Sequence, residues 1–315
     1  MINWGINALN HGSSLAVFKE GKLVLQTTGK EENLASSQYV QALNYGAPDR
    51  IFWYERPWIK KARQVYAGQY RTALDMSVLP KKHLTQFKYA KVSYTPHHGS
   101  HAAAGYYTSP FNHCAIVVLD AIGEFECATI WQGLHGEMKK VWSRSYPHSL
   151  GLFYSAFTQF VGLTPIKDEY LLQKMAEQGD PFKFLQYVRS YFNPGVLELN
   201  TNFHRGVLTW DQNQLTTLQE QCDLAAAVQM VFEEQVSSIM QTAKELTQAD
   251  SLVYMGGCAM NSRANKQVVE PKFKYIWSLP NPGDPSSSIG AVLYHTKQRV
   301  WDYRWDSVKH IAINV

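Results

Sequence analysis

Three histidines fall within five positions of the stretch YTPHHGSHAAAGYYTSPF, residues 94–111. His97 and His101 are four apart, and on a helix that spacing puts both imidazoles on one face, able to share a metal ion. His98 points elsewhere. Two ligands do not complete a site, so carboxylates must come from distant sequence. Asp120 ends the apolar run IVVLD, a strand that leads into the small-residue loop AIGE. Asp284 sits in NPGDPSSSIGA, a tight turn before a small-residue helix start. A strand end and a turn are common positions for groups that face a cleft. Two neutral imidazoles and two carboxylates suit Fe2+, Mn2+ or Zn2+ rather than a soft metal. The competing reading is a polar helix start with exposed histidines.

His11 stands in the turn NHGSS, where it can serve as an acid/base group or donate to developing charge. Taken alone, the residue reads first as a turn histidine satisfied by its neighbours. GGCAMNSRAN (256–265) reads as a nucleotide-side loop. Gly256 and Gly257 let a ligand approach the backbone, and Asn261 offers a bidentate amide. No GxxxxGK(S/T), GxGxxG or GxSxG pattern occurs, which disfavours a P-loop kinase, a dinucleotide dehydrogenase and a typical serine hydrolase.

The elements that must position these groups come in a repeat. Residues 2–28 and 113–145 each read as a β-rich run, a small-residue turn, a second strand, a Gly-containing hairpin and a third strand. The two copies start about 110 residues apart. Two related α/β lobes follow, residues 1–112 and 113–315, with ligand in the cleft between them. Helices are expected over 149–162 and over 223–247, the second with Asp223 as its N-cap. A buried strand is expected at 251–257. No flexible linker separates the lobes.

The chain has 315 residues and a net charge of +4, unevenly spread. Nine Lys/Arg lie between Arg56 and Lys91 against one acid, Asp75. Trp58, Tyr66, Tyr70, Phe87 and Tyr89 are interleaved with them. Cations neutralise phosphates and aromatic faces stack on unpaired bases. The same pattern also describes a solvated helical face whose aromatics turn into the core. The four cysteines are scattered without a CxxC pair, so they read as buried small hydrophobes. No apolar run spans a bilayer and no signal-peptide pattern opens the chain, so no membrane partner and a cytoplasmic location are expected.

Five blocks carry a family resemblance, in order and over nearly the whole chain: GINALNHGSSLAVFKEGKLV, HHGSHAAAGYYTSPF, VVLDAIGE, PHSLGLFYSAFTQFVGL, and GGCAMNSRAN with NPGDPSSSIGAVLY. They resemble the O-carbamoyltransferases of the nodulation and antibiotic-tailoring type, whose catalytic domain is similar to the tRNA-threonylcarbamoyl transferase. The resemblance implies an α/β, actin–hexokinase-like (ribonuclease H-like) duplicated two-lobe fold with a central cleft. It implies a divalent metal, Fe2+ first, held by His97, His101, Asp120 and Asp284. His11 matches the histidine near the reacting carbamoyl group. Nucleotide contacts carry over to Asp120, Gly123, Glu169, Gly256, Gly257 and Asn261.

The implied donor is carbamoyl adenylate, made from carbamoyl phosphate and ATP, and the acceptor is a hydroxyl. Some viral relatives resemble modifiers of 5-hydroxymethylcytosine, and the basic, aromatic segment 56–91 tilts the expectation toward DNA or its nucleotide over a sugar- or antibiotic-like molecule. Departures from the pattern are local. Gly12 stands where an acid commonly follows the histidine, and Ala121 where glycine is favoured. Leu171 replaces a usual lysine, which makes Lys174 the candidate for that charge. Family members usually carry a C-terminal adenylate-forming domain. The sequence ends 25 residues after Gly290, so a separate adenylate-forming subunit, a supplied intermediate or the protein's own route to the donor is expected. Two rival readings remain: a non-catalytic nucleotide-binding subunit and a sugar-kinase-like phosphotransferase.

Overall fold

The computed structural model describes residues 1–208 and 215–300, so the end of the expected second lobe, 301–315, lies outside the described residues. The first sheet contains β1 (Ile2–Asn10), β2 (Gly12–Lys19), β3 (Lys22–Gly29), β4 (Arg50–Trp53) and β5 (Lys91–Tyr94). Its order is β3-β2-β1-β4-β5, with an antiparallel meander on one side and two strands parallel to β1 on the other. The second sheet contains β6 (His113–Gly123), β7 (Glu126–Leu134), β8 (Glu137–Ser145), β9 (Ser251–Met255) and β10 (Tyr275–Trp277). It repeats the same order, β8-β7-β6-β9-β10. The repeat read from sequence is therefore a duplication of architecture. Its hairpins turn at Glu20–Gly21 and His135–Gly136, where both residues of each pair have positive φ, the geometry that matches strand twist. This is the α/β, duplicated two-lobe fold of the actin–hexokinase-like kind.

The helices cross over between the lobes. The helix His97–Thr108 leaves the first sheet and packs on β6 and β9 of the second. The helix Ser287–Thr296 leaves the second sheet and packs on β1, β2 and β4 of the first. The two helices pack on each other, so the middle of the molecule reads sheet, helix, helix, sheet. The strands of the first sheet all precede residue 113 and those of the second follow it, while the helix from residue 287 returns to the first sheet. Buried β-branched and aliphatic residues of β6 (Ile116, Val117, Val118, Leu119) fit a strand covered on both faces. The helix Leu150–Phe160 and the long helix Leu218–Thr247 cover its other face.

The long helix begins earlier than expected. Thr217 is its N-cap, accepting from Glu220 N in a capping box, and Asp223 lies inside the helix. Asp223 instead ties down a neighbouring turn, accepting from Asp180 N at 2.8 Å, Lys183 Nζ at 2.7 Å and Gln219 Nε2 at 2.9 Å. Burial alone would raise its pKa, but these donors hold it below the ordinary carboxylate value. A depressed folded pKa contributes stability above the unfolded pKa that is lost as pH falls through the folded one. Asp223→Ala is therefore expected to melt below the wild type at about pH 7, with the gap closing as acid takes the pH below the ordinary carboxylate value of about 4. Thermal unfolding followed across that pH range checks this.

All four cysteines are free and buried. No helix among the described residues is long and apolar enough to cross a membrane.

Candidate metal centre

The candidate residues collect at the carboxyl ends of the parallel strands, where α/β sheets present ligand sites. The histidine helix starts three residues after β5, with Pro96 at its N-cap, and ends before Pro110, which cannot continue it. All twelve of its residues are buried, so the reading of exposed histidines is overturned. The small residues after His101 let this helix approach its neighbour closely. A Cβ on Gly290 would lie 1.7 Å from Ser100 O, so only glycine fits that crossing. The same contact brings the turn that carries Asp284 against the histidines.

Four ligand atoms, from His97, His101, Asp120 and Asp284, lie within 4.8 Å of one another. His97 Nε2 is 3.1 Å from Asp120 Oδ2, 3.3 Å from Asp284 Oδ1 and 3.1 Å from His101 Nε2. His101 Nε2 is 3.3 Å from Asp284 Oδ1 and 3.8 Å from Asp120 Oδ2. The carboxylates' other oxygens are held by the frame. Gly257 N donates to Asp120 Oδ1 at 3.2 Å, and Asn10 Nδ2 donates to Asp284 Oδ2 at 3.1 Å. His98 turns away, with Nδ1 3.0 Å from Thr129 Oγ1. Burial first, then the neighbouring His97, keep His98 well below the usual imidazole pKa, so it stays neutral.

The donor set fits a divalent cation. Neither Asp120 nor Asp284 forms an ion pair with Lys or Arg among the described residues; the ion-pairing groups against them there are the imidazoles of His97 and His101. Two largely buried carboxylates without a fixed counter-charge call for a cation. Burial would raise both carboxyl pKa values, but the histidines hold both well below the ordinary range. Burial would likewise lower His97, but the surrounding carboxylates of Asp120, Asp284 and Glu55 raise it well above its usual value.

Gly123 lies against the imidazoles: a Cβ there would meet His97 Cδ2 at 2.4 Å and His98 Cδ2 at 2.6 Å. Gly123→Ala is expected to push His97 out of line and weaken cation binding by roughly 10–100-fold, as losses of ligand support do. Metal titration of the purified variant checks this. Gly256 has φ +94° and abuts Leu119 O, so the glycine pair is what lets the loop reach Asp120.

The other nucleotide-side candidates are placed differently. Asn261 exchanges two hydrogen bonds of 3.0 Å with Gln229 and caps the short helix after it, so its amide is used within the chain. Glu169 accepts from Ser155 Oγ and Ile166 N. Lys174 is exposed and lies over the Tyr170 ring, 5.7 Å from its centroid. Between the helix Glu169–Ala176 and residues 262–267 opens a cavity of about 400 Å³, lined by Gln173, Glu177, Ser262, Arg263, Lys266 and Gln267. His11 is exposed in the β1–β2 turn, next to the Asn10 that holds Asp284.

The basic segment bridges to the second lobe. Arg56 pairs through its guanidinium with Glu124, whose Oε1 also accepts from Arg56 N at 2.7 Å. Tyr66 packs on Phe125 and Tyr146, with ring centroids 6.0 and 6.3 Å away. Of the five aromatics, only Phe87 enters the core; Trp58, Tyr66, Tyr70 and Tyr89 are 60–69 % exposed. Lys61 and Arg63 turn inward instead. Lys61 Nζ caps the carbonyls of Ala73 and Asp75, at 2.9 and 2.6 Å.

Sequence reading missed Glu55, a buried carboxylate beside His97. The signal was present: IFWYE is an apolar strand ending in an acid, as IVVLD is. It also missed Asn10 and Glu124, whose partners lie far along the chain.

A family model described as Carbamoyltransferase N-terminus matches residues 58–293. An uncharacterized protein of Synechocystis is 29% identical over 347 aligned residues, which cover 92% of this chain and 56% of that protein. Nodulation protein NolNO of Sinorhizobium fredii is 26% identical over 218 residues, covering 66% of this chain and 32% of that protein. The chain thus spans about half the length, or less, of these relatives. A ROK family glucokinase structure from Streptomyces griseus aligns with a TM-score of 0.45 and 9% identity, covering 92% of this chain and 98% of that one.

Proposed function

Since the chain belongs to the carbamoyltransferase family, we propose that it moves a carbamoyl group from carbamoyl adenylate to an acceptor hydroxyl at the His97–His101–Asp120–Asp284 centre. The convergence of those four ligand atoms within 4.8 Å, at the carboxyl ends of both sheets, carries the proposal. A divalent cation held there, Fe2+ foremost with Mn2+ or Zn2+ as alternatives, supplies Lewis-acid stabilisation of negative charge. The chain's own groups do the placing. Asn10 and Gly257 N hold the two carboxylates in line, and the 400 Å³ cavity beside residues 262–267 takes the nucleotide.

The acceptor oxygen bonds to the carbamoyl carbon. The carbon–oxygen bond to the phosphate breaks, and AMP departs with the electron pair. The hydroxyl proton passes to His11, which the β1–β2 turn places next to Asn10. AMP is a good leaving group, so placement and charge stabilisation suffice. The adenylate is made from carbamoyl phosphate and ATP.

For the acceptor, 5-hydroxymethylcytosine in DNA or its nucleotide is supported by the exposed Trp58, Tyr66, Tyr70 and Tyr89. Arg71, Lys81, Lys82, Lys88 and Lys91 lie exposed in the same segment. A sugar- or antibiotic-like acceptor is favoured by a different observation: Arg56, Lys60, Lys61 and Arg63 are paired or buried and offer nothing to a phosphate backbone.

The test incubates the protein with carbamoyl phosphate, ATP, a divalent metal and a source of adenylate. Hydroxymethylated single-stranded DNA and a panel of sugars serve as acceptors, and products are read by mass spectrometry. A gain of one carbamoyl group on the nucleoside supports the DNA reading. A gain only on a sugar removes it, and no gain on any acceptor favours a binding subunit.

A further inference from the structure

A histidine that gives its Nε2 lone pair to a cation must carry its proton on Nδ1. His97 presents Nε2 to Asp120, Asp284 and His101, so its Nδ1 faces the other way. That nitrogen is buried and has no hydrogen-bond partner among the described residues. Buried N–H groups are nearly always paired, so an acceptor has to be found.

Glu55 is the acceptor that faces it. It stands two residues beyond β4 and is 5 % exposed, with Oε2 3.9 Å from His97 Nδ1. Its other oxygen, Oε1, accepts from Lys60 Nζ at 2.9 Å, which aims the carboxylate. The buried Tyr54 ring lies against the same imidazole, with centroids 5.2 Å apart, and shields that side from solvent. Closing the gap to an ordinary N–H···O distance takes about 1 Å, a small adjustment of two side chains. The carboxylates of Asp120 and Asp284 are engaged at Nε2 and cannot serve Nδ1.

We propose that Glu55 is the positioning residue of the centre: its carboxylate accepts the Nδ1 proton of His97, which fixes the tautomer and ring orientation that offer Nε2 to the cation. Acceptors behind metal-bound histidines act in this way and set affinity as well as orientation. The assignment rests on the cation reading of the site.

The test compares wild type with Glu55→Met, which fills the same space and accepts no such bond, and Glu55→Gln, whose amide oxygen still accepts it. Chelator-stripped proteins are titrated with Zn2+ against a chromophoric competitor. The His97 Nδ1 proton is followed by long-range proton–nitrogen NMR on Zn2+-loaded, 15N-histidine protein. Zn2+ affinity is expected to fall roughly 10–100-fold in Glu55→Met and to recover in part in Glu55→Gln. The protected Nδ1 proton is expected in wild type and Glu55→Gln and lost in Glu55→Met. Melting of the metal-free forms identifies a variant that does not fold, in which case Glu55→Ala takes the place of Glu55→Met. Wild-type affinity, or a still-protected Nδ1 proton, in the folded variant lacking the carboxylate overturns the assignment. A wild type that takes up no stoichiometric Zn2+ overturns the cation reading, and the assignment falls with it.

Discussion

Asp284→Ala is expected to remove stoichiometric cation binding and to lower carbamoyl transfer on the order of 10³-fold, the scale of losing a preorganised charge-stabilising group. Asp284 is the one carboxylate equally close to both imidazoles, at 3.3 Å from each Nε2. Its loss leaves Asp120 as the one acid, among the described residues, close to both Nε2 atoms, and Asn10 loses its acceptor. The fold should survive, because Asp284 sits in a turn and its partners are a partly buried amide and the imidazoles. Metal analysis of the purified variant, beside a single-turnover assay, measures both effects. A variant that kept its metal and its turnover would remove the four-group centre from the mechanism. A variant that lost the metal yet kept full activity in the complete system would favour the binding-subunit reading.

Gly290→Ala is expected to act through the frame. The new methyl would stand 1.7 Å from Ser100 O, 2.6 Å from Ser100 C and 2.8 Å from Ala104 N, all backbone atoms of the histidine helix. Backbone cannot swing aside as a flexible side chain does, so the two central helices must separate. Overpacking of this kind costs about 3 kcal/mol or more, the upper end of the usual range. Gly162→Ala is the control. Gly162 has φ +87° and no atom within 4 Å of its built Cβ, so only left-handed strain is added, about 1 kcal/mol. Urea unfolding of the two variants should separate them clearly. Because the Gly290 crossing also sets the distance between Asp284 and the histidines, the folded fraction of Gly290→Ala should bind metal more weakly. Equal stability of Gly290→Ala and wild type would mean that the helices are not in such close contact.

Local signals made much of the molecule legible. Hairpin turns announced themselves by Glu-Gly and His-Gly pairs, because positive φ at consecutive positions is a local demand. The i, i+4 spacing of His97 and His101 needed only a helix to become a shared face. Asp120 and Asp284 were visible as acids at a strand end and in a turn. The start of the long helix was misread because Asp223 is a good capping residue by type. The competing Thr217–Glu220 capping box won, and Asp223 was drawn off to Lys183 and Asp180, partners about 40 positions away.

The basic segment shows the limit of composition. Charge and aromatic content marked residues 56–91 as unusual, yet two cations turned inward and four aromatics turned out. Which way a side chain faces depends on what the helix packs against, and that surface comes from elsewhere in the chain.

From its sequence alone, this protein's duplicated α/β architecture, family and four candidate ligands were determined, because each is written in short-range pattern. Only the tertiary structure decided that those ligands meet, that Asn261 is spent on Gln229, and that Glu55 stands behind His97. Those facts depend on two helices crossing at Gly290 and on strand ends from both sheets arriving at one place. Contacts between residues tens to hundreds of positions apart leave no periodicity to read.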